Sequence, residues 1–105
     1  MFYKQFYHNL QIEDIKKKIQ LEGFDPLLIR NEPGYTYPLH SHEETKLLGI
    51  ITGDMEVVAG GQIYKCGPYD KLVIEKNVAH SAVVGPQGCT FLWAEKILGD
   101  NRKSQ

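Results

Sequence analysis

Three imidazoles in this sequence are spaced so that they could hold a metal. His40 and His42 are separated only by Ser41, and His80 stands well beyond them. In an extended segment residues i and i+2 point to the same face, so the side chains of His40 and His42 can converge on one point. Neutral imidazole nitrogens suit divalent first-row metals. A second strand laid beside the first would bring His80 in as a third nitrogen. Positions would then stay open for water or substrate, as in a catalytic metal site. A lone His-x-His is a common surface pattern, so the elements around it have to decide.

Those elements divide into a helical leader and a β-rich remainder. From Gln11 to Leu21, Ile12, Ile15 and Ile19 recur at helical spacing, with Glu13 and Asp14 leading, lysines following and Gly23 as the stop. One amphipathic helix is predicted there, with charge pairs from Glu13 to Lys17 and from Asp14 to Lys18. Before it, Phe2, Tyr3, Phe6 and Tyr7 form an aromatic leader that either packs on the β-region or lies in a subunit interface. After Pro26, short β-prone runs alternate with turn residues, the rhythm of an antiparallel sandwich or barrel. The predicted strands are Leu27 to Arg30, Lys46 to Thr52, Met55 to Ala59, Gln62 to Cys66, Lys71 to Ile74, Ser81 to Val84 and Thr90 to Glu95. Gly60-Gly61 tolerates the positive φ angles of a two-residue loop, which predicts a hairpin over Met55 to Cys66. His40 and His42 then open one strand and His80 another, with the helix over a barrel edge or end. The chain reads as one domain over 1–105, with leader and helix in 1–25 and the barrel in 27–98.

The order of these residues resembles two motifs of the cupin superfamily, the RmlC-like jelly rolls. The first motif matches at Gly34, His40, His42 and Gly53, and the second at Gly67, Asp70, Ile74, Asn77 and His80. The resemblance implies an all-β, double-stranded β-helix barrel, here with one N-terminal amphipathic helix. It also implies a metal site in the barrel interior. Two positions depart from the pattern: Lys46 stands where the first motif has its glutamate, and Glu75 where the second has a proline. A subgroup of short single-domain cupins likewise carries lysine in the first motif, and Glu95 and the VAHSAVVGPQG segment share in that likeness.

Lys46 cannot take the place of a carboxylate ligand, because its ammonium would be a like charge beside the cation. Repulsion and burial would both favour its neutral form unless a carboxylate lies close by. Three outcomes stay open. Lys46 serves catalysis beside a three-histidine metal, by anchoring a substrate carboxylate or moving protons. Alternatively Glu95, Glu43 or Glu44 neutralises it and the pair is structural. In the third case no metal binds tightly, and lysine and histidines form an anion or small-molecule site.

Tyr35, Tyr37, Trp93 and Glu95 are the candidates for lining a pocket, since Trp93 shares strand parity with Glu95 and Phe91. His8 reads as a surface or interface residue, and Asp70 as a turn former. Cys66 and Cys89 lack any CxxC spacing and read as buried free thiols. A net charge of -1 with dispersed lysines lacks the basic footprint of a nucleic-acid binder. The longest apolar run, Leu47 to Ile51, is too short for a membrane span, and the start does not read as a signal peptide, so a cytoplasmic location is expected.

The functional expectation is a metal-dependent enzyme acting on a small organic molecule, carboxylates included. Its cofactor would be one divalent transition metal: iron, zinc, nickel, copper or manganese. The alternative is a non-enzymatic binding or sensor cupin, metal-free in one version. A homodimer is expected, because small barrels often protect open sheet edges by pairing.

Overall fold

The structure is a computed structural model that describes residues 1–97. Its elements are β1 (Phe2–Tyr3), α1 (Ile12–Leu21), β2 (Phe24–Asn31), β3 (Thr36–His40), β4 (Lys46–Ala59), β5 (Gln62–Cys66), β6 (Lys71–Ile74) and β7 (His80–Lys96). All strand pairs are antiparallel. Residue 98, the predicted end of the barrel, lies outside the described residues.

The frame is a pair of long strands, β4 and β7, matched from Lys46↔Glu95 at one end to Ala59↔His80 at the other. Near the Lys46 end they are flanked by β6 and β2, and near the Ala59 end by β5 and β3. The sheet thus has two halves, and the hydrophobic core that contains Leu48, Ile50, Met55, Val57, Val84 and Phe91 takes residues from both. No pairing among the described strands joins β1 to β2 at the outer edges, so the double sheet is not closed by hydrogen bonds.

The sequence divides each long strand in two, at Gly53-Asp54 and at Gly85 to Gly88. The structure instead carries each through as one bent strand, with register shifts between Ile50 and Met55. The two bends face each other. Gly53 has φ +77°, and a Cβ there would stand 2.0 Å from the Gly88 carbonyl oxygen. Glycine here makes a bulge and a close backbone approach rather than a turn. The Gly60-Gly61 hairpin forms as expected, with Ala59↔Gln62 closing the β4–β5 pair.

The helix matches its predicted span to one residue, but it lies on a sheet face instead of an edge or end. Ile15 and Ile19 pack with Tyr7, Phe24, Leu47, Leu92 and Ala94, a second core on the outer side of the Lys46 half. The reason is strand parity: Leu47, Leu92 and Ala94 point away from the interior and need cover. Tyr7 is fully buried, and its ring approaches Gly49, where a Cβ would stand 3.3 Å away. The aromatic leader therefore packs on the β-region, and Phe2 pairs with Leu72 through β1. The expected Glu13–Lys17 and Asp14–Lys18 ion pairs are absent among the described residues; Lys18 lies over the Phe6 ring instead. No described helix is long and apolar enough to cross a membrane.

Candidate metal centre

Backbone pairing brings the histidines together. His40 is the last residue of β3 and stands opposite His80, the first of β7. His42 lies beyond the end of β3, so the pair does not open a strand as the spacing suggested. It straddles a strand end, after an irregularity in the pairing between Tyr37 and His40. The His42 carbonyl accepts a hydrogen bond from the Asn77 N–H at 2.7 Å, which ties this loop to the turn before β7. Asn77 has φ +65°, a left-handed conformation that asparagine tolerates better than most residues.

The ring centroids are 4.7 Å apart for His40 and His42, 4.4 Å for His40 and His80, and 5.2 Å for His42 and His80. One ligand nitrogen from each lies within 4.8 Å of the others. The Nδ1–H of His80 donates to the Val78 carbonyl at 2.9 Å, and that of His40 donates to the Pro38 carbonyl. A carbonyl can only accept, so these bonds place a proton on Nδ1, and in the neutral ring they leave the Nε2 lone pair free. His80 Nε2 is buried and has no hydrogen-bond partner, the one such side-chain atom among the described residues. Burial holds the His42 and His80 pKa values below the ordinary imidazole value. For His42, Lys46 and the other two histidines add to the lowering; for His80, the Val78 bond opposes it while His40 and Lys46 reinforce it. Neutral imidazoles with free Nε2 atoms suit a divalent transition metal.

Lys46 does not line the same space. It stands opposite Glu95 across β4 and β7, and its ammonium is 2.9 Å from Glu95 and 3.8 Å from Glu44. It also lies 5.8 Å from the Trp93 ring. The carboxylate on which its charge state depended is therefore present, and Glu43 is exposed. Lys46, Trp93 and Glu95 line an open cleft outside the histidines.

Inside lies a cavity of about 180 Å³ that reaches the three histidines. Tyr37 and Trp93 line it; Tyr35 does not, being half exposed with its ring 5.0 Å from that of Tyr37. The Tyr37 hydroxyl donates to Asn31 Oδ1. The apolar walls, Leu48, Met55, Val57, Ile74 and Phe91 among them, went unmarked in the sequence reading. Strand parity could have found them, since Leu48 and Phe91 share a face with Lys46 and Trp93. His8 is exposed, and Asp70 accepts hydrogen bonds from the Gln5 and Gly67 backbone as a turn residue.

Residues 25–95 match the family described as AraC-like ligand binding domain. The chain belongs to that family. Solved cupins share its fold. An RmlC-like cupin from Shewanella frigidimarina is 19% identical, with 76% of this chain and 71% of that one covered at a TM-score of 0.65. The Schizosaccharomyces pombe Cnp3 cupin domain is 13% identical, with 78% and 63% covered at 0.66. Oxalate decarboxylase from Bacillus subtilis, studied for its Mn(II) centres, is 22% identical, with 77% and 23% covered at 0.66. The chain thus spans less than two thirds of the Cnp3 domain and under a quarter of the decarboxylase. No curated protein sequence matches it. The cupin resemblance read from the two motifs is correct at the level of fold.

Proposed function

We propose that this cupin holds one divalent transition metal on His40, His42 and His80, and that the metal forms the polar end of a pocket for a small organic molecule. The observation that carries the reading is His80 Nε2, buried and unpartnered beside two other imidazoles. A native protein seldom leaves such an atom without a partner, and a metal supplies one. The Mn(II) centres of oxalate decarboxylase support a metal in this fold. When bound, the metal would polarise a ligand oxygen or activate a water. His40 and His80 are held ready for it by their carbonyl partners.

Elemental analysis of untagged protein should find about one metal per chain, lost in His80→Ala and in His40→Ala. Protein that takes up none of iron, zinc, nickel, copper or manganese would overturn the proposal. The family's description as a ligand-binding domain favours a second reading, in which the molecule is bound and not transformed. A part for Lys46 in turnover requires Glu95 to give way; a metal-loaded Lys46→Met variant that loses activity would assign it that part, and unchanged activity would make the Lys46–Glu95 pair structural. Binding without turnover in the parent protein would assign it to the binding class.

A further inference from the structure

The cavity behind the histidines has a composition that selects its occupant. Among the described residues that line it, no side chain other than the imidazoles can carry a charge near neutral pH. The one cation nearby, Lys46, faces the outer cleft and already holds Glu95 and Glu44. The walls differ in depth as well. His40 and His42 are half buried, whereas Leu48, Met55, Val57 and Phe91 are each no more than 4% exposed. His80, at 5% exposed, is as deep as these walls, so the imidazoles form one polar side of the cavity and the apolar residues the rest. A volume of about 180 Å³ leaves room for a small organic molecule. It also falls below the ~300 Å³ at which pockets for drug-sized ligands begin.

We infer that the ligand is a compact molecule, smaller than a drug-sized one, with a single oxygen-donor head at the histidines and a short apolar body against the apolar walls. A second charged group has no partner there, so dicarboxylates and sugar phosphates are excluded. This inference rests on the proposed metal pocket and narrows it: the carboxylate anchor considered for Lys46 drops out, because that lysine is already paired.

The test uses the Co(II)-loaded 105-residue chain and three hydroxamates as metal-binding probes: acetohydroxamate, butyrohydroxamate and succinic monohydroxamate. Binding is read from the cobalt absorption bands and from the fluorescence of Trp93, the single tryptophan. Butyrohydroxamate should bind about tenfold tighter than acetohydroxamate through its two extra buried methylenes. The carboxylate-ended probe should bind at least about tenfold more weakly than butyrohydroxamate. Val57→Phe, which fills the cavity, should abolish the chain-length preference while cobalt content stays at one per chain. Ile74→Ala should extend the preference to a longer chain, and serves if Val57→Phe does not fold. The same contrast is read in metal-free protein with butyramide against succinamate by Trp93 fluorescence. Failure to take up cobalt would thus sink the metal site alone. The ligand class is overturned if the carboxylate-ended probe binds as tightly as its methyl-ended partner, or if affinity does not change with chain length.

Discussion

Lys46 is buried, with its ammonium between Glu95 and Glu44, and it bears on the histidines through its charge. Because that charge lowers the pKa of His42 and His80, Lys46→Met should raise both, as read by imidazole NMR titration of metal-free protein. Because Glu95 and Glu44 reach solvent and can rehydrate, replacing the ammonium by an apolar side chain of similar size should change stability by no more than about 1 kcal/mol. Glu95→Gln should cost about 1 kcal/mol in denaturant unfolding, since Glu95 is half exposed and Glu44 remains. The histidine shifts also fix a pH dependence. Both groups bind a proton less readily folded than unfolded, so between their lowered values and about 6.5 the unfolded chain holds more protons. Metal-free protein should therefore be fully stable above about pH 7 and lose stability as the pH falls through that window. A melting temperature flat from pH 7.5 to 5 would contradict this.

At the scale of elements, the bend shared by β4 and β7 lets one sheet supply both halves of the pocket. Gly53→Ala places a methyl against the Gly88 carbonyl at a positive φ. It should cost about 2–4 kcal/mol by thermal or denaturant unfolding. Ile19→Ala, in the helix-covered core away from the cavity, should cost a similar ~2–4 kcal/mol yet leave metal content unchanged. The helix and the Gly60-Gly61 hairpin were legible because their signals are local: periodicity, charge order and a two-residue loop. The bends were not, because glycine marks a turn and a bulge alike, and only the strand alongside tells them apart. β3 escaped notice for a similar reason. Its Tyr-Pro-Leu-His run is partly exposed and gains its strand character from pairing with β7.

Over the whole molecule, the interior is shared by both halves of the sheet, and its depth shields groups the sequence left ambiguous. Burial pushes the Cys66 and Cys89 thiols up to about 12, so neither should react with a thiol reagent until the chain is unfolded, when both should. Rapid labelling of the native chain would show that the core around them opens. The order of residues along the chain was enough to determine the cupin fold and the three histidines as one candidate set, since motif spacing is a property of sequence. Tertiary structure alone decided that His40 pairs with His80 and that His42 is held by Asn77. It also decided that Lys46 turns to Glu95 outside the cavity and that the space behind the histidines is apolar. These depend on strand register and on which face of a bent sheet looks inward, and residues far apart in the chain settle both only when they pack.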